Sequence, residues 1–372
     1  MRGDPKNPTI SLIAQEAGVS RATVSLALRE NPRISDATRD RIKAIARQLG
    51  WQPNPLLAQA MSALRAGQPT VEQVTMAWIT MFPERSGWQH QPFYERTHEG
   101  AVERARLSGY HLEHFWIGDA RGRLERLGDI LYTRGIAGAI FAPLPQPGTV
   151  KFAWERFACA TIGFSVENPR LHRAIDNHNA AIRAAVTRLQ AAGCQRIGLI
   201  IQTNFDRRIH GLHSAGYFWQ IDQNQDFHPE LLFRPTELTG QEFDRWRREA
   251  RPDAIISGHP EVLDWLRSSQ IKMPEELSFV SLDLPTTDGS VTGIHQDPEA
   301  VGASAVDTVA GQLLRNERGL PDKPRTLLVD GHWVEGATTP AAAPDSPAVQ
   351  RAASLLCNRQ GGESAQPASN GR

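Results

Sequence analysis

From Val74 onward, short apolar runs alternate with amphipathic stretches over most of the remaining chain. Strands are predicted at residues 74–82, 138–144, 159–164, 196–201, 253–257 and 278–283. Helices are predicted at residues 93–107, 121–133, 179–192, 209–220, 241–249, 261–269 and 299–316. Repeated strand–helix–strand units with continuously apolar strands indicate parallel sheets that are covered on both faces. The segment is long for one sheet and favours two Rossmann-like lobes with a cleft between them.

Length and composition narrow the class of protein. The chain has 372 residues, more than one compact core usually holds, so two or three domains are expected. No apolar run approaches the roughly 18 residues of a membrane span. The first residues, MRGDPKNPTI, lack the apolar stretch of a secretory signal, and we therefore expect a cytoplasmic protein. The three cysteines, Cys159, Cys194 and Cys357, are too few and too scattered for a disulfide framework or a thiolate metal site.

Charge is unevenly distributed along the chain. The 41 Lys and Arg residues balance the 41 Asp and Glu residues overall. Residues 1–67 nevertheless carry ten basic and five acidic side chains, so this segment is +5 and the rest is −5. A basic head on an acidic body is typical of a nucleic-acid-binding module joined to another domain, with chance clustering as the alternative.

The basic head has the pattern of a three-helix helix-turn-helix. A first helix is predicted from Thr9 to Ala17, because its apolar residues share one face. Gly18 can take the left-handed conformation that a tight turn needs, and Ser20 can cap a second helix. A longer third helix follows Ser35. Two short helices around a turn and a longer bracing helix form a helix-turn-helix, whereas the alternative is an ordinary three-helix cap.

The second helix is predicted to enter the major groove of DNA. Its first residues, Arg21 and Ala22, would face base edges, while Thr23 and Ser25 would reach phosphates. The predicted DNA contacts of the head are Ser20, Arg21, Ala22, Thr23, Ser25, Leu26 and Asn31.

The head resembles a known family. Residues 10–54, ISLIAQEAGVSRATVSLALRENPRISDATRDRIKAIARQLGWQPN, are similar to the headpiece of the lactose-repressor (LacI/GalR) family of bacterial transcription regulators. The motifs A-G-V-S, T-V-S, I-S-x-x-T-R and L-G-W-x-P-N carry the resemblance. It implies operator binding by a homodimer, with Arg21 and Ala22 at the positions that read bases. Leu26 stands where many members have an arginine, so it cannot make their guanine contact and would either read a thymine methyl or merely exclude other bases.

The resemblance also covers the linker. Residues 56–65 are rich in helix formers, and the family has a hinge helix here that wedges apolar side chains into the minor groove. The run Ala58-Gln59-Ala60-Met61 is similar to the usual A-x-x-L, which makes Ala58 and Met61 predicted DNA contacts and Met61 the wedge. Leu57 or Leu64 could serve instead. An amphipathic linker that packs on the body is the alternative.

The body resembles the periplasmic-binding-protein type effector domain of the same family, so the resemblance spans residues 9–338. Matching stretches are R-G-I-A-G-A-I at 134–140, R-x-x-G at 208–211 and P-E-E-L-S-F-V-S-L-D at 274–283. A ligand cleft is implied, with effector contacts at Phe93, Tyr94, Asp176, Arg208, His259, Asp283 and Gln296. Arg208 and Asp283 would bind vicinal hydroxyls or a polar ring edge, and Phe93 and Tyr94 would stack on a sugar or base.

Alternatives to the cleft assignments stay open. The alternative for Arg208 and Asp283 is a salt bridge between them, and the alternative for Phe93 is a place in the core. His259 stands in the sequence S-G-H-P, where the family usually has an aspartate, so the ligand need not be one of the usual hexoses.

Signatures of enzyme chemistry are missing from the sequence. There is no G-x-G-x-x-G after a strand, no G-x-x-x-x-G-K-[ST] and no G-x-S-x-G. In a strand, His111 and His114 would point to opposite faces, and His210 and His213 sit on a predicted helix without a third ligand. We therefore interpret these histidines as surface or packing residues and expect no metal, no cofactor and no enzyme.

Together, these observations predict a mixed α and α/β protein with three parts and a tail. A helix-turn-helix headpiece is expected at 8–52, a hinge-helix linker at 53–68, and a two-lobed effector-binding and dimerisation domain at 72–339. One lobe would comprise 72–172 with 297–325, the other 173–296 with 326–339, and a disordered tail would follow at 340–372. The predicted function is a homodimeric repressor that binds a pseudo-palindromic operator under control of a small molecule, possibly a sugar. The rival classes are a solute-binding protein without a DNA role and an enzyme built on the two-lobed body.

Overall fold

The computed structural model describes residues 10–28, 34–49, 74–222, 228–341, 350, 352 and 354–356. The chain divides between Glu72 and Gln73 into two compact units. The hinge-helix linker predicted at 53–68 lies outside the described residues, as do Asn31, Ala58 and Met61.

The N-terminal unit has the predicted helix-turn-helix. Its helices are α1 (Ile10–Ala17), α2 (Arg21–Leu28) and α3 (Asp36–Gln48). Gly18 has φ of 62°, the left-handed conformation that the turn requires. The Ser20 Oγ accepts a hydrogen bond from the Thr23 N–H at 3.1 Å and so caps α2. The three helices bury a small apolar core of Ile13, Ala14, Ala17, Val24, Ala27, Ile42 and Ala46.

The second unit contains two six-stranded sheets. The first sheet is fully parallel, with strand order β13-β7-β5-β3-β1-β2. Its strands are β1 (Val74–Thr80), β2 (Tyr110–Trp116), β3 (Gly138–Phe141), β5 (Ala158–Ile162), β7 (His172–Asp176) and β13 (Thr326–Val329). The short strands β4 (Gly148–Thr149) and β6 (Val166–Asn168) form a separate pair. Helices of this lobe are α4 (Pro92–Leu107), α5 (Leu124–Thr133) and α11 (Pro298–Leu314).

The second sheet has strand order β14-β12-β11-β10-β8-β9, and only β14 runs antiparallel to its neighbour. Its strands are β8 (Ile197–Ile200), β9 (Leu232–Phe233), β10 (Ala254–Ser257), β11 (Ser278–Ser281), β12 (Gly293–His295) and β14 (His332–Val334). Helices of this lobe are α6 (His178–Ala191), α7 (Thr203–Arg208), α8 (Leu212–Asp222), α9 (Gly240–Ala250) and α10 (Pro260–Ser268). Each lobe has its own apolar core.

Three connections join the two lobes. The chain crosses between β7 and α6, between β12 and α11, and between β13 and β14. Two of the connections run side by side, because Asn177 donates its backbone N–H to the Val329 carbonyl at 2.8 Å and its side-chain amide to Asp330 at 2.7 Å. Two crossings therefore lie after Asp176 and Val329, a few residues later than the predicted lobe limits at 173 and 326.

Helices α4 and α11 are packed backbone to backbone. A Cβ atom at Gly302 would overlap the carbonyl oxygen of Thr97, and one at Gly100 would overlap the carbonyl oxygen of Glu299. These two glycines permit the close approach that fixes α4 on the first lobe.

The C-terminal tail differs from the expectation at its described residues. Leu356 is only 7% exposed and belongs to the core of the second lobe, with Leu355 packed against the same core. Disorder was predicted because the tail has few large aliphatic residues, but these two leucines are enough to attach the described part of it. Among the described residues, no helix is both long and apolar enough to cross a membrane.

Candidate functional site

A cavity of about 550 Å³ opens between the two lobes of the second unit. All seven residues predicted as effector contacts line it: Phe93, Tyr94, Asp176, Arg208, His259, Asp283 and Gln296. Several of them follow from the parallel topology, since Asp176 ends β7 while His259 and Asp283 stand two residues beyond β10 and β11. Side chains at the carboxyl ends of parallel strands converge at one edge of a sheet, where open α/β folds bind ligands.

Arg208, at the end of α7, ties the second lobe to the first. Its guanidinium donates hydrogen bonds to the carbonyls of Leu144 at 2.8 Å and Pro145 at 3.4 Å. It also donates to the Tyr94 hydroxyl at 3.3 Å. Within the described part of the chain Arg208 has no ion pair with Asp283, so the alternative of a salt bridge between them does not hold.

Two of the three carboxylates that line the cavity are Asp176 and Asp283. Asp176 is 8% exposed, and its Oδ2 lies 3.0 Å from Nδ1 of His178, although the contact lacks the geometry of a hydrogen bond. Asp283 is exposed to the solvent of the cavity, although atoms of both lobes crowd its carboxyl. This crowding raises the pKa of Asp283 to about 6, the negative charge of Asp176 adds to the rise, and His178 and Arg96 oppose it.

His259 is held as a neutral imidazole. Its Nε2 accepts a hydrogen bond from the backbone N–H of Gln202 at 3.2 Å, which leaves Nδ1 to carry the proton. Burial lowers the pKa of His259, so the neutral form is favoured.

Sequence reasoning missed part of the cavity wall. Phe205, His178 and His213 all line the cavity, with the rings of His178 and His213 4.8 Å apart and that of Phe205 6.1 Å from His213. His213 is 3% exposed, and burial lowers its pKa well below the usual value. The one signal in the sequence is the spacing of His210 and His213, which predicts a surface or packing role for His213 and not a place in the cavity wall.

The paired histidines have packing roles. His210 is not on a helix, contrary to the prediction, but in the turn before α8 with φ of 56°, where its ring lies 4.3 Å from that of Phe164. His114 shares a hydrogen bond of 2.7 Å with the Thr80 hydroxyl, while His111 is exposed. No group of three or more metal-ligating side chains occurs among the described residues.

Gln296 lies in the connection between the lobes and is 4% exposed. Its Nε2 donates to the carbonyl of Leu282, whereas its Oε1 has no hydrogen-bond partner in the described structure. A buried acceptor that lines a cavity without a partner is suited to receive a hydrogen bond from a ligand.

Aromatic side chains form the wall on the side of the first lobe. Phe93 and Tyr94 stand in the first turn of α4, half-buried, with ring centroids 6.0 Å apart. Because both line the cavity, Phe93 is not a residue of the lobe core.

The predicted DNA-reading surface lies at the start of α2. Arg21 is exposed and Leu26 half-buried. The hydroxyls of Ser20 and Thr23 share a hydrogen bond of 2.8 Å at the cap. Ala22 and Ser25 lie on the same helix. The base- and phosphate-contacting roles of these residues stay predictions.

A helix-turn-helix unit in one chain with a two-lobed, cleft-bearing α/β body defines the architecture of a ligand-responsive DNA-binding regulator. The chain matches the model of bacterial regulatory proteins of the lacI family over residues 9–54 and that of the periplasmic binding protein-like domain over residues 186–339. The chain belongs to the LacI family of bacterial regulatory proteins.

Characterised relatives agree with this family. The transcriptional repressor CytR of Escherichia coli is 27% identical over 330 residues, which cover 82% of this chain and 89% of CytR. The regulator PtxS of Pseudomonas plecoglossicida is 26% identical over 325 residues, with the same coverage. The match to the regulator MalR of Streptococcus pneumoniae, at 27% identity, spans only 56% of MalR. These relatives are named as transcriptional regulators and not as enzymes, which agrees with the sequence-based expectation.

Solved structures share the fold. The complex of the transcriptional regulator CelR with cellobiose has a TM-score of 0.55 at 19% identity and covers 89% of this chain and 99% of that one. The lac repressor dimer bound to operator and the anti-inducer ONPF has a TM-score of 0.52 at 19% identity and covers 90% of this chain and 100% of that one. The predicted fold class is thus confirmed.

Proposed function

We propose that the protein is a transcriptional repressor that binds a pseudo-palindromic operator as a homodimer and changes its operator affinity when a small polar molecule enters the cleft. The observation that carries the proposal is the convergence of all seven predicted effector contacts on one cavity. The relatives add support, because one is named as a repressor and solved structures of the same fold contain an operator in one case and cellobiose in another.

The operator is read by α2 in this proposal. Arg21 is exposed at the first position of the helix, where its guanidinium can donate two hydrogen bonds to a guanine. Leu26 offers an apolar surface in place of a hydrogen-bonding side chain, so at that position the operator carries a thymine methyl. A homodimer repeats the contacts on two half-sites, which makes the site pseudo-palindromic.

The cleft controls DNA binding through a shift between conformations. Residues of both lobes line the cavity, so a ligand there stabilises one arrangement of the lobes over another. Whether the ligand releases the operator or strengthens its binding depends on which arrangement each of them prefers.

Selection of genomic DNA fragments by the purified full-length chain at moderate salt tests the proposal. Wild type is compared with Arg21→Ala and with Arg126→Ala, which removes an equal charge from an exposed position of α5. We expect wild type and Arg126→Ala to enrich one pseudo-palindromic site and Arg21→Ala to lose it, by about 1–3 kcal/mol of discrimination. Sequence-blind, salt-sensitive binding by all three proteins, with and without ligand, would contradict an operator-specific role.

The rival reading as a solute-binding protein makes a different prediction in the same experiment. A protein of that class would bind small molecules in the cleft but would enrich no DNA sequence. Gel filtration with light scattering on the wild type measures the oligomeric state, for which the proposal expects a dimer.

A further inference from the structure

The cavity presents hydrogen-bond acceptors, rather than donors, to a ligand. Gln296 lines the cavity, and its Oε1 is buried and has no partner among the described residues. The carboxylate of Asp283 accepts no hydrogen bond from any described group, and Asp176 faces the same space. The main donor, Arg208, already donates to the Leu144 and Pro145 carbonyls and the Tyr94 hydroxyl.

Negative charge is in excess around the same space. The carboxylates of Asp176, Asp283 and Glu261 line the cavity together with the guanidinium groups of Arg96 and Arg208. The charge of Arg96 is already balanced, because its Nε lies 2.7 Å from the carboxylate of Glu299, which does not line the cavity. Three carboxylates therefore share the cavity with the guanidinium of Arg208, with Arg96, which is paired with Glu299, and with His178 beside Asp176.

Three histidines line the cavity, and His178, 3.0 Å from Asp176, offsets part of the negative charge only when it is protonated. Burial lowers the pKa values of His213 and His259, so both rings favour their neutral forms. A neutral imidazole leaves the excess of negative charge in place.

The rest of the wall is aromatic and aliphatic. The rings of Phe93, Phe164 and Phe205 line the cavity, together with Ile200, Ile201 and Leu282. Aromatic faces attract cations, and they do so more strongly where water is excluded. The wall thus combines an apolar surface, against which a small ring of the ligand can pack, with hydrogen-bond acceptors for a positively charged group.

We propose that the ligand of this cleft is a small cyclic amine, such as an amino sugar, whose ammonium group is bound by the carboxylates of Asp176 and Asp283 and the Gln296 carbonyl oxygen. The inference rests on the proposed function, since it takes the cleft as the effector site. An ammonium group has three donors and no acceptor, which matches a wall of unpartnered acceptors. A neutral hydroxyl also donates, but its hydrogen bond to a carboxylate lacks the added attraction of opposite charges.

Binding of matched amine and alcohol pairs to the full-length chain tests this ligand class. The probes are glucosamine with glucose, galactosamine with galactose, and cyclohexylamine with cyclohexanol, measured by calorimetry at neutral pH and millimolar concentration. Asp283→Asn and Asp176→Asn remove one negative charge each, and Asp322→Asn removes one at an exposed position away from the cavity.

In wild type and Asp322→Asn, we expect at least one amine to bind about tenfold or more tightly than its alcohol, the strength of one charge-assisted hydrogen bond. In Asp283→Asn the difference should fall to near parity, and in Asp176→Asn it should shrink. Circular dichroism of each variant shows whether the fold is retained, and a retained fold with lost preference is the decisive result.

Two outcomes would overturn the inference. Equal or tighter binding of the alcohols would make the cleft a site for neutral polyols. Binding of no probe from either series would show that the cavity does not select cations. Both outcomes leave the proposed function to its own test, because enrichment of an operator by the wild type does not depend on the charge of the ligand.

Discussion

At the scale of single residues, the pKa of Asp283 links the stability of the fold to pH. Crowding of its carboxyl by atoms of both lobes, together with the charge of Asp176, raises its pKa from 3.8 to about 6. His178 and Arg96 oppose the rise without cancelling it. Because the folded state holds the proton to a higher pH than the unfolded chain, the contribution of this group to stability is lost as pH rises from about 4 through about 6.

Asp283→Asn should therefore stabilise the protein without ligand at neutral pH. The amide is neutral at all pH values, so it avoids the cost of the crowded negative charge. We expect the Tm of the variant to exceed that of wild type above about pH 6 by only about 1–2 °C, because Asp283 is open to solvent, which screens its charge. Toward pH 4 the difference should vanish, because Asp283 is then protonated in wild type. Thermal unfolding of both proteins across this range measures the effect.

Asp322→Asn serves as the control for the same pH series. Asp322 is exposed, so its replacement should leave the pH dependence of the Tm unchanged. A destabilised Asp283→Asn at neutral pH would instead mean that the carboxylate is held favourably in the unliganded cleft.

At the scale of the elements, the contact between α4 and α11 positions one wall of the cavity. Phe93 and Tyr94 are in the first turn of α4, and that helix is fixed by the close approach at Gly100 and Gly302. The same contact places Arg96 against Glu299 at 2.7 Å. Small residues at this interface therefore affect both the stability of the first lobe and the geometry of the cleft.

Replacement of Gly302 by alanine should destabilise the protein. The added Cβ would overlap the Thr97 carbonyl oxygen and lie 2.9 Å from the Ala101 nitrogen, and backbone atoms cannot move aside as a flexible side chain can. We expect a loss of about 1–3 kcal/mol in the free energy of unfolding, measured by urea denaturation.

Gly311→Ala, in the same helix, is the matched control. A Cβ at Gly311 would meet only the end of the Arg315 side chain at 3.1 Å. Alanine is about 1 kcal/mol better than glycine inside a helix, so this variant should be neutral or more stable. Equal losses in the two variants would show that the helix interface is not the cause.

Prediction from sequence succeeded where a signal was continuous and local. The predicted strand at 278–283 overlaps β11 (Ser278–Ser281), where the apolar pair Phe279 and Val280 is buried in the parallel sheet. Strand β7, with the sequence His-Arg-Ala-Ile-Asp, was missed because it is short and mostly polar although fully buried. Its position depends on β5 and β13, two neighbours distant in sequence.

The sequence predicted some residues of the candidate site and not others. Asp283 and Arg208 were found through local motifs, whereas His178, Phe205 and His213 reach the cavity only through packing between helices α6, α7 and α8. The hydrogen bonds of Arg208 to Leu144 and Pro145 could not be predicted either, since they join segments more than 60 positions apart.

At the scale of the whole molecule, a DNA-reading unit and a ligand-binding unit share one chain. If the cleft ligand changes operator affinity, the two binding free energies are linked, and the coupling must be the same in both directions. The size of the coupling is set by how differently the ligand binds the two arrangements of the lobes, not by how tightly it binds overall.

Reciprocal titrations test this coupling. The operator is titrated with and without the tightest-binding probe, and the probe with and without saturating operator, and we expect the two ratios of Kd to agree, at about 5–150-fold. Arg21→Ala should lose the effect of the operator on the probe but keep the Kd of the free protein for the probe. Asp283→Asn should keep the Kd of wild type for the operator, but the probe should no longer change that Kd. Ratios that differ in wild type would mean that the probe and the operator do not act through one shared equilibrium.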